Sequence, residues 1–370
     1  MTVHTLLANK ARQVMNLDWK RLLKLNQNEV LGLDIGSSAV KIVQLSKDGP
    51  EYKVTAAGIV KIAEETENSP DRKETNTVRA ILDCLQLTAV KTKLAVCSIS
   101  GPEVAVRYFK FPPLPAEEIP AAVRLEAEQV CPFNIADSTV DYQLIPDGNN
   151  SLCGVLVAAT NKLINEKVRC AENASLKTVL MDVDALALLN CFNGLTNRQQ
   201  KPCPDRATAI LDVGSSHTNL AIMGKEYLPF VRDIAYAGND ITKAIANEHN
   251  VSTEIVADVL AGRETPGQPE LELRESLARA CQKLITDVTE TLRYYTTQEK
   301  SAPVEKLLVC GSFAMVKGFV ELLDSKLAVP AILWNPLENI PWDTEQAAIE
   351  SLRENGPAMA VATGLAMRVI

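Results

Sequence analysis

The chain has no C-x-x-C pair: its nine cysteines are scattered at 84, 97, 131, 153, 170, 191, 203, 281 and 310. An odd, dispersed set suggests neither a disulfide framework nor a zinc site, and so a reducing compartment. No apolar run approaches the roughly 18 residues that span a bilayer. The first residues also lack the apolar core and small-residue cleavage site of a secretory signal, so the cytoplasm is the expected location. Positive charge is not in surplus: the net charge is −8, which argues against broad phosphate-backbone contact and against nucleic acid as a partner. The lysine-bearing phosphate loop G-x-x-x-x-G-K-[ST] is missing, which sets aside that class of nucleotidase. What is present is 370 residues, 46% hydrophobic and 23% charged, a globular composition large enough for two cored domains.

One pattern is written twice. Leu31-Gly-Leu-Asp-Ile-Gly-Ser-Ser-Ala-Val-Lys41 and Leu211-Asp-Val-Gly-Ser-Ser-His-Thr-Asn-Leu220 match at Leu33/Leu211, Asp34/Asp212, Gly36/Gly214, Ser37/Ser215 and Ser38/Ser216, an offset of 178 residues. In each copy an apolar strand ends on an acidic residue, turns on Gly-Ser-Ser and resumes as a second strand, 40–45 or 219–223, which predicts a hairpin. Such a turn points backbone N–H groups and two hydroxyls into one small space, and that space suits a phosphate. Lys41 and Thr218 stand beside the turns as further candidate ligands. Asp34 and Asp212 can each hold Mg²⁺ through water, because that ion keeps much of its hydration shell. A lone copy reads as an ordinary hairpin; the duplication predicts two similar half-proteins.

In chain order, residues 1–28 form a basic, roughly amphipathic leader, with Leu6, Leu7, Val14, Met15, Leu22, Leu23 and Leu25 among Lys10, Arg12, Lys20, Arg21 and Lys24. Such a segment is either a membrane-surface helix or a frayed, self-packed leader. Strands follow at 30–34, 40–45 and 52–62, the last two joined by a turn at 47–50. After a polar stretch at 64–76, Val78, Ile81, Leu82 and Leu85 recur at helical spacing, and 93–99 is a short buried strand. Residues 101–160 then carry their own pattern: a strand at 104–111, a helix at 116–130 with Ile119, Val123, Ala127 and Val130 on one face, a stop at Pro132, and strands at 139–145 and 152–159 around a turn at 147–150. The interrupted plan resumes as helix 161–174, strand 178–184 and helix 185–192. This predicts an RNase-H-like first domain, 29–193, with an inserted subdomain at 101–160.

A proline-bearing linker at 193–206 marks the boundary to a second domain, 207–370. There the plan repeats: strands at 208–213, 219–223 and 227–234, a small helical insertion at 239–275 with a Pro/Gly break at 265–269, and a core helix at 277–295. A buried strand from 306 breaks at Gly311, and 356–367 reads as a closing helix.

Two phosphate turns facing each other across a cleft resemble the actin, heat-shock chaperone and sugar-kinase superfamily. The resemblance implies an α/β actin-like ATPase fold of two RNase-H-like domains binding ATP with Mg, with Gly238 beside the second turn and Gly311 and Ser312 at an adenosine motif. The position of the insertion resembles the SHS2-like one of the FtsA type. Arg124-Leu-Glu-Ala-Glu-Gln-Val-Cys-Pro-Phe133, Asp141-Tyr-Gln, Met181-Asp-Val-Asp-Ala185 and Ala237-Gly-Asn-Asp240 go further and resemble the PilM family of type IV pilus assembly, over about residues 29–370. That resemblance implies a cytoplasmic scaffold, peripheral at the inner membrane, holding the N-terminal tail of a PilN-type bitopic membrane protein in a groove of the insertion. Tyr108, Phe109, Phe111 and Phe133 are the apolar candidates for that groove. The resemblance also implies Asp184 as the residue that orients an attacking water, with at most slow turnover, and self-association as a further property. An FtsA-like division tether is the alternative. A small-molecule kinase would need a polar pocket with a carboxylate base, which the insertion does not offer.

Overall fold

The computed structural model describes residues 30–48, 51–63, 70–145, 151–196, 206–224, 228–263, 273–298, 301–342 and 354–368. The leader at 1–28, part of the polar stretch at 64–76, the turns at 49–50 and 147–150, most of the linker at 193–206 and the break at 265–269 lie outside the described residues. The chain divides into two compact units, one of Met1–Arg198, Asn339–Leu352 and Val361–Ile370, the other of Gln199–Glu338 and Arg353–Ala360.

In the first unit, β1 (Val30–Ile35), β2 (Ala39–Asp48) and β3 (Glu51–Lys61) run antiparallel in sequence order. Helix α1 (Pro70–Thr88) returns the chain to β4 (Leu94–Ile99), parallel to β1. All six residues of β1 are buried, as a strand covered on both faces requires. The helix begins inside the stretch expected to be irregular, and its buried line is Thr77, Ala80, Ile81 and Cys84, whereas Leu82 faces solvent. A polar residue tolerates that line because the Thr77 hydroxyl donates to Lys73 O at 2.8 Å.

The insertion follows β4: β5 (Val104–Phe111), α2 (Ile119–Val130), β6 (Ser138–Ile145) and β7 (Leu152–Thr160), forming a separate antiparallel sheet in the order β5-β7-β6. Helix α2 stops at Val130 because Cys131, the residue before Pro132, is extended. Then α3 (Asn161–Asn173), β8 (Lys177–Val183) and α4 (Asp184–Thr196) complete the unit, whose main sheet is ordered β3-β2-β1-β4-β8.

The second unit repeats that order with β9 (Ala207–Val213), β10 (Thr218–Met223), β11 (Pro229–Ile234), β12 (Val304–Cys310) and β13 (Ala331–Leu333), arranged β11-β10-β9-β12-β13. Between β11 and β12 lie α5 (Gly238–His249), α6 (Thr253–Leu260), α7 (Leu273–Ala280) and α8 (Gln282–Thr296). The single helix expected at 277–295 is thus two segments meeting at Cys281, although Cys281 N still bonds Leu277 O at 2.9 Å and Leu277, Leu284, Ile285, Val288 and Tyr295 are buried in one core. Helix α9 (Phe319–Lys326) separates β12 from β13.

The closing segment departs from the expected domain division. A 3-10 turn, Gly356–Met359, belongs to the second unit, but α10 (Ala360–Ala366) runs almost wholly in the first. Small residues cause this. A Cβ added to Gly32 of β1 would overlap Ala362 O and lie 2.6 Å from Ala366 N, and one on Gly364 would overlap the Ala187 backbone of α4. Glycines on both sides of the contact let the helix lie directly on backbone.

Candidate functional site

In the first unit the Gly36 N–H donates to Ala39 O at 3.0 Å and closes the β1–β2 hairpin, leaving Ser37 and Ser38 exposed. A Cβ on Gly36 would sit 2.9 Å from Ala39 O and 3.4 Å from Lys41 Nζ. Asp34 and Lys41 are cross-strand partners, and Lys41 Nζ lies 2.8 Å from Asp34 Oδ2. Lys167, on α3, donates from Nζ to Ile35 O. Asp184 opens α4, and its carboxyl is pushed above the ordinary range, first by burial and then by the charge of Asp34. Hydrogen bonds from Ser100 and Ser98 and the charge of Lys167 act in the opposite direction. The fold thus gathers Asp34, Lys41, Lys167, Asp184 and two serines at one end of the sheet. Ser98, Ser100 and Lys167 were not singled out from sequence. A serine pair bracketing Ile99 at the end of an apolar strand was the available signal for the first two; Lys167, one of many helical lysines, gave none.

In the second unit Gly214 N donates to His217 O at 3.1 Å, closing the β9–β10 hairpin. The N-terminus of α5 is stitched onto this turn: Gly238 N donates to Gly214 O at 3.0 Å, Asn239 N to Ser215 O at 2.8 Å, and Asn239 Nδ2 to Ser216 Oγ at 3.4 Å. Gly238 has to be small, since a Cβ there would lie 2.7 Å from the Phe313 ring. Thr218 is buried, and its hydroxyl donates to Tyr236 O at 2.8 Å, so it braces the strand instead of presenting its oxygen. Gly311 has φ +93°, donates from N to Pro357 O at 2.9 Å, and brings the chain against the turn: a Cβ on it would lie 2.5 Å from Asp212 Oδ1. Ser312 immediately precedes the 3-10 turn Phe313–Met315, without a capping hydrogen bond from its side chain.

Asp212 lies beside Cys310 on one side and Asn219 on the other, and Asn219 pairs in turn with Asp233 of β11. Directly paired residues point to the same face of a sheet, so these side chains form one row. Asn219 is 2% exposed, and its Oδ1 is buried with no donor among the described residues. Among the described residues no three His, Cys, Asp or Glu side chains converge on a metal position. An orphaned amide oxygen beside carboxylates does fit a cation that keeps its waters, because each bound water is a donor.

Of the four aromatic candidates of the insertion, Tyr108, Phe109 and Phe111 lie on β5, on different faces of the sheet, and Phe133 lies in the bend after α2. Phe109 is fully buried under α2, stacked on Phe111 with ring centroids 4.9 Å apart and meeting Tyr142 edge-on at 6.4 Å. Its cross-strand partner is Gly154, where a Cβ would sit 2.5 Å from the Phe109 ring. Phe109 is therefore core and does not line a groove, because a glycine opposite leaves the space its ring fills. Phe111 and Phe133 pack part-buried around the same core, and Tyr108, on the opposite face, is 41% exposed.

Two units with the same five-strand order, each turning on Gly-Ser-Ser after its first strand, define an actin-like ATPase fold. Solved structures agree on that fold. The diol dehydratase-reactivating factor in nucleotide-free form is 12% identical (TM-score 0.54, 91% of this chain and 98% of that one), and the ethanolamine utilization protein EutJ from Carboxydothermus hydrogenoformans is 12% identical (TM-score 0.50, 91% and 88%). A structure of the PilM-PilN type IV pilus biogenesis complex is 25% identical, with a TM-score of 0.76 over 92% of this chain and 98% of that one. Residues 32–370 match the family described as type IV pilus assembly protein PilM, and the chain belongs to that family. No helix among the described residues is long and apolar enough to cross a membrane.

Proposed function

We propose that this chain is an actin-like scaffold of type IV pilus assembly that holds the N-terminal tail of a PilN-type membrane protein and is thereby brought to the cytoplasmic face of the inner membrane. The observation that carries this is the family match over residues 32–370, together with the likeness to the PilM-PilN complex. The inserted sheet is the proposed recognition surface: β5 and β6 are its two edges, and an edge strand can add an extended peptide through backbone hydrogen bonds with alternate side chains in pockets. Tyr108, exposed at β5, is the aromatic best placed to contact such a peptide; Phe111 and Phe133 shape the core behind it. Titration of the whole chain with a peptide of that tail is expected to give micromolar or tighter binding. Undiminished binding by a folded chain lacking residues 102–159 defeats the assignment of the surface.

The same reading assigns Mg-ATP to the two Gly-Ser-Ser turns, with Ser37, Ser38, Lys41, Ser215 and Ser216 as phosphate ligands and Gly238, Gly311 and Ser312 shaping the second turn. The fit of the residues supports it: two closed hairpin turns, with exposed serines in the first and half-buried ones in the second, a lysine in the first, and an orphaned acceptor beside Asp212 in the second. When bound, Mg supplies charge neutralisation at the phosphates. Turnover is expected to be slow, below about 1 s⁻¹, since positioning dominates phosphoryl transfer and the short Asp184 side chain reaches less far toward a water than Gln or Glu. Calorimetry with Mg-ATP tests the site; no binding at millimolar nucleotide removes it.

A further inference from the structure

Two ammonium groups stand at the turn of the first unit, and they are committed differently. Lys41, inside the repeated pattern, is the cross-strand partner of Asp34, with Nζ 2.8 Å from Oδ2, so its charge already has a counterion. Lys167 comes from α3, outside the pattern. Its one hydrogen-bond partner among the described residues is the neutral carbonyl of Ile35, the residue before Gly36. We propose that Lys167 is the residue by which the first unit recognises the terminal phosphate of a nucleoside triphosphate, a group that the diphosphate lacks. This rests on the nucleotide reading above and adds to it a ligand from outside the Gly-Ser-Ser turns.

Three observations carry it. The first is position: β1, β4 and β8 run parallel and end at Ile35, Ile99 and Val183. The Lys167 ammonium, on Ile35 O, therefore stands at their carboxyl ends, where open α/β sheets bind ligands. The second is chemistry. An ammonium carries three donors, and a half-buried one with a single carbonyl partner has given up water without regaining as many hydrogen bonds. A phosphate oxygen supplies an acceptor and a counter-charge together. The third is the neighbour. The charge of Lys167 acts on the Asp184 carboxyl, and Asp184 is the residue expected to orient an attacking water. Such a water stands in line with the phosphorus it attacks, which is the terminal one, so a cation beside Asp184 lies at that end of the phosphate chain. The helix that carries the lysine is also held still. Leu163 N donates to the Thr160 Oγ1 cap at 3.3 Å, and Arg169 Nη2 pairs with Glu74 of α1 at 2.6 Å, so little freedom of α3 is left to lose when a ligand arrives.

The test measures the affinity of the full chain for ATP and for ADP by calorimetry, in one buffer containing MgCl₂. Lys167→Met is expected to bind ATP about tenfold more weakly than wild type, the loss of one hydrogen bond to a charged group, and ADP within about twofold. The ratio of the two affinities is the readout. A lysine that only braces the turn through Ile35 O would, when removed, loosen the site for both nucleotides alike and leave that ratio unchanged. A Lys167→Met protein with the wild-type ratio therefore overturns the proposal while leaving the nucleotide site standing. Wild type that binds neither nucleotide removes both. Should Lys167→Met not fold, Lys167→Gln takes its place: its amide can still donate to Ile35 O but carries no charge, and the same loss of about tenfold for ATP alone is expected. An unchanged ratio in that variant is equally fatal.

Discussion

Gly364 of the closing helix rests on the backbone of Ala187, so closely that an added Cβ would come within 2.6 Å of the Ala187 carbonyl carbon. No flexible side-chain end is available to yield there, so Gly364→Ala has to push two helices apart. We expect a loss of about 3 kcal/mol, the upper part of the range for overpacking, read as a lowered urea midpoint with unchanged slope. A loss under roughly 0.5 kcal/mol would place this contact among ordinary surface changes.

Just past the C-terminal end of the same helix, Arg368 Nε donates to Asp182 Oδ2, and both side chains are almost fully buried. Removing one partner strands the other charge in a place with little water. Arg368→Met is expected to cost about 3–5 kcal/mol, whereas the double variant Asp182→Leu, Arg368→Met regains at least half of that. Equal losses in the single and double variants contradict a stranded charge.

For Asp184 the sign of the pH dependence follows from its direction of shift. Its folded pKa lies above the ordinary 3.8, so the folded state binds the proton more tightly, and wild-type stability falls as pH rises from about 4 through the folded pKa. Asp184→Asn has no such proton to lose. It is expected to be the more stable protein at pH 7, with its advantage shrinking toward zero near pH 4, as measured by unfolding temperatures across that window. A constant difference between the two proteins at all pH values rejects the cause given.

Tyr108 and Phe109 are neighbours with opposite duties. Phe109→Ala removes a ring from the core of the insertion and is expected to cost about 3–5 kcal/mol. Tyr108→Ser leaves that core intact and is expected to weaken binding of a PilN-type N-terminal peptide about tenfold, with an unfolding temperature close to wild type. Peptide affinity that survives Tyr108→Ser moves the recognition surface away from this face.

Most of the strand order was legible because its signals are local. Alternation and turn residues set the hairpins β1–β2 and β9–β10, and Ile119, Val123 and Ala127 at helical spacing are the buried line of α2. Pro132 placed the end of that helix through its effect on Cys131. On α1 the same procedure chose Leu82 over Thr77 and Ala80, because hydrophobicity alone does not register that a threonine can satisfy its hydroxyl within its own helix.

What the sequence determined by itself is the duplication: two Asp-x-Gly-Ser-Ser turns 178 residues apart, and with them two hairpins and two units. Those features depend on residues within a few positions of one another, where backbone preference and turn chemistry decide. Tertiary structure alone decided that Lys167 reaches Ile35 across 132 residues, that Arg368 reaches Asp182 across 186, that Phe109 fills the space Gly154 leaves, and that Asn219 Oδ1 is enclosed without a donor among the described residues. Each of these depends on which surfaces meet after the strands have paired, and a residue's type says little about that, because close packing and polar satisfaction are properties of neighbours brought together by the fold.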